Sequence, residues 1–100
     1  MSQPSLALLI TEKANADEHA IFRYITEVFG SLYAERFRTK LIQLFQLVAT
    51  QPFIGRVAKN DSYIRVLIIS KQNKFIYKVT DSAIIILRIL NTKTAKANRF

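Results

Sequence analysis

The chain has 100 residues, half of them hydrophobic and only two each glycine and proline, which predicts one compact domain over residues 1–100 and excludes a largely disordered chain. We expect flexibility only at residues 1–5 and 95–100. No apolar run approaches the roughly 20 residues of a membrane-spanning helix, and the absence of cysteine excludes disulfides and thiolate metal sites. These features favour a cytoplasmic protein without a metal or a cofactor.

The net charge of +8 comes entirely from the second half of the chain. Residues 1–55 carry five basic and five acidic side chains, whereas residues 56–100 carry ten basic side chains against Asp61 and Asp81, a balance of 10 − 2 = +8. This asymmetry favours a polyanionic partner, either a nucleic acid or an acidic protein segment. The alternative is a basic surface that only keeps the protein soluble.

The first half of the chain has the pattern of a short strand followed by two helices. Leu6 to Ile10 is an apolar run typical of a buried strand. From about residue 13 a helical period of apolar residues leads to Gly30, which can end a helix, and the short link predicts an antiparallel hairpin. Ser31 can cap the second helix, which must stop near Thr50 because Pro52 follows. The residues expected to face the core are Ala14, Ile21, Phe22, Tyr24 or Ile25, Val28 and Phe29 in the first helix, and Ala34, Phe37, Leu41, Leu44, Phe45, Leu47 and Val48 in the second.

The second half predicts three strands, Tyr63 to Ile69, Lys74 to Thr80 and Ala83 to Leu90, joined by short turns. The predicted fold is therefore α+β: an N-terminal strand, a two-helix antiparallel hairpin and a three-stranded antiparallel meander, with the helices packed on one face of a four-stranded sheet. Strand alternation directs one set of side chains of the middle strand toward the helices, namely Phe75, Tyr77 and Val79.

The other face of the predicted sheet is also apolar. Because two helices cover only one face, the apolar side chains on the second face need a further cover. The C-terminal tail, a second copy of the chain in a homodimer, or a segment of a partner could supply it. The side chains assigned to this face are Ile76, Ile84, Ile86 and Leu90.

Six short patterns between Leu8 and Lys96 occur in the order and at the spacing of a known family. The most distinctive are the link Gln51-Pro52-Phe53-Ile54-Gly55-Arg56 and the strands Asn73-Lys74-Phe75-Ile76-Tyr77-Lys78-Val79 and Ile84-Ile85-Ile86-Leu87-Arg88-Ile89-Leu90. Together these segments resemble the RelE/ParE superfamily of type II toxin–antitoxin and plasmid-stabilisation proteins, nearer its ParE-like branch. The resemblance implies a growth-inhibiting toxin that a cognate acidic antitoxin neutralises.

The ParE-like branch implies inhibition of DNA gyrase, and its members need no catalytic residues of their own. The polar run Asn91 to Lys96 resembles the segment that follows the last strand in that branch, with Lys93 where an arginine is more usual. This is the favoured interpretation. A second alternative is a non-toxic family member that only binds the antitoxin.

The RelE branch implies instead a ribosome-dependent mRNA endoribonuclease. Its chemistry requires cations beside the reacting phosphate and an acid for the leaving oxygen, and the candidate catalytic cations carried over from the resemblance are Arg65, Lys74 and Lys93. Leu67 and Thr94 stand where that branch has further basic residues, and Phe100 lies near a catalytic tyrosine but lacks the hydroxyl. These departures argue against an efficient nuclease.

Arg65 is the first candidate for a functional side chain. An arginine within an apolar strand is costly to bury unless it is paired, which favours a cation on the open face of the sheet. The alternative is a structural ion pair with Asp61 or Glu35. His19, the single histidine, has no metal-ligand spacing. The predicted partner-binding residues are Arg65, Lys74, Ile76, Lys78, Arg88, Leu90, Lys93 and Lys96.

Overall fold

The predicted order of elements is confirmed in a computed structural model that describes residues 5–58 and 60–91. The segments predicted to be flexible fall outside these residues, apart from Ser5. None of the helices in the described part of the chain is long and apolar enough to cross a membrane. The elements are β1 (Ala7–Ile10), α1 (Glu12–Phe29), α2 (Ser31–Thr50), β2 (Arg56–Ala58), β3 (Asp61–Ile68), β4 (Asn73–Val79) and β5 (Ala83–Asn91).

The sheet has five strands in the order β1-β5-β4-β3-β2, one more than the four predicted. β1 runs parallel to β5, and the other three pairings are antiparallel. The additional strand is β2, whose three residues are too few to show an alternating pattern. The register of β2 against β3 shifts between Val57 and Ala58, and Asn60 in the following turn has a φ of 61°.

Local hydrogen bonds fix the ends of both helices. Thr11 caps α1, since its hydroxyl accepts from the amide of Ala14 at 3.0 Å, and the same hydroxyl donates to the carbonyl of Leu87 at 3.0 Å. Gly30 ends α1, as predicted, and is also the residue that precedes α2. Ser31 is therefore the first helical residue, and the prediction that it caps α2 is wrong because no side chain caps that helix. α2 ends at Thr50, before Pro52.

Gly30 adopts a backbone conformation that other residues rarely adopt, with a φ of 97° and a ψ of 165°. Since no atom lies within 4 Å of a Cβ built there, an alanine is disfavoured by its backbone alone. We expect Gly30→Ala to lower the free energy of unfolding by about 2 kcal/mol. Urea unfolding followed by far-UV circular dichroism measures this loss. An unchanged midpoint would show that the hairpin can be joined in another way.

The main core lies between the two helices and one face of the sheet. Phe45 of α2 packs edge-on against Phe75 of β4, with ring centroids 5.1 Å apart. Phe75, Tyr77 and Val79 all face the helices, as predicted. These three strand residues are fully or almost fully buried, and burial of their apolar area stabilises the fold.

A bulge in β5 changes which residues share a face. Tyr77 pairs with Ile86 but the preceding Ile76 pairs with Arg88, so Leu87 is an extra residue in the strand. The alternation of side chains between the two faces of the sheet is therefore shifted by one residue after the bulge in β5. Ile84 and Ile86 lie on the helix side, and their prediction on the open face is wrong, whereas the prediction for Leu90 is confirmed.

The open face carries a second, smaller apolar cluster. Its buried members are Ala58, Val66, Ile76 and Leu90, with Ile64 and Leu87 packed against them. Ile76 is only 1% exposed and Leu90 only 4% exposed. The open face thus has its own buried residues within this chain.

Candidate partner-binding surfaces

Arg65 lies on the helix side of the sheet, because it pairs with Tyr77 across β3 and β4. The prediction that it lies on the open face is therefore wrong. Its guanidinium binds backbone carbonyls of the segment between α2 and β2: Nη1 donates to Gly55 at 2.9 Å and to Phe53 at 3.2 Å. Nε donates to the carbonyl of Ser62 at 2.8 Å, so the described hydrogen bonds of Arg65 are with carbonyls and not with the predicted carboxylates, and its guanidinium also lies 5.0 Å from the ring centre of Phe53. Its role in partner binding stays a prediction.

Tyr77 holds the same segment from β4. Its hydroxyl donates to the carbonyl of Pro52 at 2.7 Å and accepts from the amide of Gly55 at 3.0 Å. The ring is fully buried. A Cβ on Gly55 would lie 2.7 Å from the Tyr77 hydroxyl oxygen and 2.8 Å from the carbonyl oxygen of Val66. Pro52 and Gly55 of the sequence pattern thus supply the two backbone groups that form hydrogen bonds with the hydroxyl of Tyr77.

The stability of this contact depends on pH. Burial raises the pKa of the Tyr77 phenol above its ordinary value, although the hydrogen bond from Gly55 and the charge of Arg65 oppose this. A phenol whose pKa is higher in the folded than in the unfolded state stabilises the fold. This stabilisation is complete below the pKa of the unfolded state, about 10, and is lost as the pH rises through the pKa of the folded state. We expect the stability advantage of the wild type over Tyr77→Phe to be constant up to about pH 9 and to shrink above pH 10. Urea unfolding of both proteins from below about pH 9 to well above pH 10 measures the difference, and a pH-independent difference would contradict the expectation.

Arg88 is held by α1. Its Nε and Nη2 donate to the two carboxylate oxygens of Asp17 at 2.7 and 3.0 Å, and the amide of Ile89 donates to the same carboxylate at 3.0 Å. The hydrogen bonds from the guanidinium to Asp17 raise the pKa of Arg88 above its ordinary value. The guanidinium predicted to bind a partner is therefore already bidentate with a residue of its own chain.

The remaining predicted site residues lie on the open face or beyond the described residues. Lys74, Ile76, Lys78 and Leu90 share the open face, where Lys78 is exposed and Lys74 is half-buried. Lys93 and Lys96 lie outside the described residues. The structure thus brings together four of the eight predicted residues and places Arg65 on the opposite face.

One concave surface of the described residues is a groove that the sequence did not reveal. We call it the hairpin groove; it has a volume of about 720 Å³ and lies between the helix hairpin and the turn from β3 to β4. Its exposed aromatic residues are Tyr24, Phe29 and Tyr33, whose neighbouring rings are 6.5 and 6.4 Å apart. The predicted core positions of Val28 and Phe29 are wrong, since each is about half exposed, and Leu47 of α2 is also exposed. Of the alternatives Tyr24 and Ile25, it is Ile25 that packs against the core.

Polar groups of the hairpin groove define what it can bind. Arg36 and Lys40 line it on the α2 side, and the guanidinium of Arg36 lies 5.5 Å from the ring centre of Tyr33. Asn73 lines the other side and is 94% buried, given its 6% exposure, and its side-chain Oδ1 has no hydrogen-bond partner within the described residues. A ligand for this groove would therefore combine apolar side chains, negative charge and one hydrogen-bond donor.

The structure combines a helix hairpin with a five-stranded sheet that has a parallel β1–β5 edge, and no group of side chains suited to a metal ion is assembled within residues 5–58 and 60–91. Residues 8–95 match the family described as the ParE toxin of the type II toxin-antitoxin system parDE. The chain belongs to this family of ParE toxins, as its sequence resemblance predicted. No curated protein is significantly similar to it.

Solved structures with the same fold come from several toxin–antitoxin systems. The chromosomal ParDE system of Pseudomonas aeruginosa is 22% identical over 87% of this chain and 96% of that chain, with a TM-score of 0.74. The RelBE2 complex of Mycobacterium tuberculosis is 14% identical over 90% and 94%, with a TM-score of 0.65. A YoeB/ParE toxin of Agrobacterium tumefaciens is 17% identical over 86% and 98%, with a TM-score of 0.64. At these identities the likeness is one of fold.

Proposed function

We propose that this ParE-family toxin acts by binding and not by cleaving RNA, and that its target is DNA gyrase. The observation that carries the proposal is that the arginines suited to a phosphate site are occupied by their own chain: Arg65 binds loop carbonyls and Arg88 binds Asp17. Tyr77 is buried and is no accessible acid. Family membership supports the same conclusion, because the matched family is that of parDE toxins.

An acidic antitoxin neutralises the toxin in this proposal by filling the hairpin groove. The exposed aromatic residues offer a large apolar area, and the cations Arg36 and Lys40 favour acidic side chains at its rim. A backbone amide of the antitoxin would satisfy the buried Oδ1 of Asn73. The open-face lysines Lys74 and Lys78 extend the basic surface available to the same acidic chain.

The target is tested by inducing the toxin in a bacterium without its antitoxin and following DNA and protein synthesis separately by pulse labelling. We expect early loss of DNA synthesis, and we expect the purified toxin to inhibit gyrase supercoiling of plasmid DNA. Early loss of protein synthesis with cleaved mRNA would favour the endoribonuclease instead. Normal growth with folded toxin present would favour a non-toxic antitoxin-binding protein.

The antitoxin site is tested by placing a negative charge in the hairpin groove. We expect Tyr24→Glu to weaken binding of the co-encoded antitoxin by about 100-fold, because a charged side chain replaces an apolar contact and repels an acidic partner. Tyr63→Glu is the matched control, since Tyr63 is as exposed as Tyr24 but lies on β3, away from the groove. Isothermal titration calorimetry gives both affinities. Equal affinities would place the antitoxin elsewhere.

A further inference from the structure

The two edges of the sheet differ in how they are protected against pairing with another strand. β2, at one edge, has only three residues, carries the charged Arg56, and is bent by a register shift before Asn60. Short length, charge and bulges are the features by which proteins block edge pairing. β1, at the other edge, is Ala7-Leu8-Leu9-Ile10, with no charge and no bulge. The β1 edge therefore has none of the protection that the β2 edge has.

The hydrogen-bonding groups of β1 show which residues could pair. The amides of Ala7 and Thr11 donate toward β5, to the carbonyls of Ser82 and Ile86, each at 3.1 Å. By strand alternation the amides and carbonyls of Leu8 and Ile10 face away from β5. Neither residue has a backbone partner on that side within the part of the chain that the structure describes.

The side chains around this edge are apolar and exposed. Leu9 is 53% exposed and Ile10 is 47% exposed, and Ile42 of α2 is exposed beside them. A cleft of about 340 Å³ opens between Leu8 and Ile10 of β1 and Ile42 of α2. Glu18 and Arg38 line the same cleft but form an ion pair with each other at 2.9 Å, so the cleft has little net charge.

The charge of the whole chain favours a second copy at this edge over a charged partner. All of the net +8 lies in residues 56–100, whereas residues 1–55, which include β1 and both helices, sum to zero. Two copies repel each other through their β2 edges and basic strands, but not through their β1 edges. A self-complementary apolar strand at a neutral edge is the surface that a two-fold dimer requires.

We propose that β1 pairs antiparallel with β1 of a second copy, about a two-fold axis that passes beside Leu9. Leu8 then pairs with the partner's Ile10, and Ile10 with the partner's Leu8, which gives four backbone hydrogen bonds. Leu9 faces the partner's Leu9 in a pair without hydrogen bonds, and Ile42 closes over the cleft. The two five-stranded sheets become one ten-stranded sheet, and the hairpin groove stays open on each copy. The proposal depends on neither the target nor the antitoxin site.

The register is tested with one cysteine, since the chain has none of its own. Directly opposite residues in a pair without hydrogen bonds have Cα atoms about 4.5 Å apart, within the range that a disulfide spans. We expect Leu9→Cys to oxidise to a disulfide-linked dimer in air at micromolar concentration. Val57→Cys, similarly exposed on the β2 edge, is the matched control and should stay a monomer. Equal cross-linking of the two variants would overturn the register.

The dimer itself is tested by sedimentation equilibrium of the full chain. We expect the wild type to have twice the 11.5 kDa mass of the chain, and Leu9→Lys to weaken the dimer at least about 100-fold, because two lysines would then lie directly opposite each other. Val57→Lys adds the same charge at the β2 edge and should remain dimeric. A wild type that is monomeric at every concentration, or a dimer that Leu9→Lys leaves intact, would overturn the proposal. A monomer whose Leu8 and Ile10 amides gain protection from hydrogen exchange only with antitoxin would assign the edge to the antitoxin.

Discussion

Gly55→Ala is expected to lower the free energy of unfolding by about 3 kcal/mol, the largest effect we expect from adding one methyl group. The Cβ of an alanine at position 55 would lie less than 3 Å from two atoms, the hydroxyl oxygen of Tyr77 and the carbonyl oxygen of Val66. Neither atom can move away easily, because the side chain of Tyr77 is buried and the carbonyl of Val66 belongs to a strand of the sheet. For a domain of this size the melting temperature should fall by about 12–24 °C, measured by circular dichroism.

A double-mutant cycle separates this clash from other effects of the alanine. Tyr77→Phe alone removes the hydrogen bonds to Pro52 and Gly55 and should cost about 1–3 kcal/mol. In the Gly55→Ala, Tyr77→Phe double variant the new methyl no longer meets a hydroxyl, so the total cost should be less than the sum of the single costs. Strict additivity would show that the methyl is resisted by the backbone of β3 and not by the tyrosine.

Asp17→Ala is expected to cost about 2–3 kcal/mol, because one carboxylate serves three donors. Its loss leaves the guanidinium of Arg88 without its partner and the amide of the buried Ile89 without an acceptor. Asp17→Asn should cost less, since its amide oxygen can still accept from Ile89. Urea unfolding at neutral pH gives all three stabilities.

Glu18→Gln is the matched control, because Glu18 is the next residue along α1 and also binds an arginine. Arg38 donates to one oxygen of Glu18 at 2.9 and 3.0 Å, but this pair joins the two helices and leaves no strand amide unsatisfied. A partly exposed pair of this kind contributes at most about 1 kcal/mol. If Glu18→Gln lowered the free energy of unfolding as much as Asp17→Ala, the loss of a negative charge from α1 would explain both effects. The contacts of Asp17 with Arg88 and Ile89 of β5 would then not be the cause.

The sequence predicted the order of the longer elements and the C-terminal ends of both helices because those depend on local chemistry. Gly30 and Pro52 end their helices for backbone reasons that do not depend on tertiary contacts. Alternation in β4 placed Tyr77 toward the helices correctly. The extra residue Leu87 in β5 could not be predicted, because a bulge is a change of hydrogen-bond register and leaves the apolar composition of a strand unchanged.

The candidate site was harder to predict than the fold. Arg65 binds backbone atoms, and the hairpin groove is lined by exposed residues near the end of a helix. Arg65 and Tyr77 pair across two strands, and the alternation within β3 alone could not show which face the arginine occupies. Its acceptors are carbonyls, which any residue could provide. In α1, helical periodicity predicts the direction of the apolar stripe but not where packing against the sheet ends, so the predicted stripe includes Val28 and Phe29, which are about half exposed.

The parallel pairing of β1 with β5 has a consequence for synthesis. Thr11 at the end of β1 donates a hydrogen bond to the carbonyl of Leu87, 76 positions later, so β1 leaves the ribosome well before the strand with which it pairs. Closing so long a loop is slow compared with forming the helix hairpin and the meander, whose contacts are local. During that interval both edges of β1 are unpaired, and the apolar sequence Leu8-Leu9-Ile10 can capture other chains. Nascent and truncated chains should therefore be the aggregation-prone form of this protein.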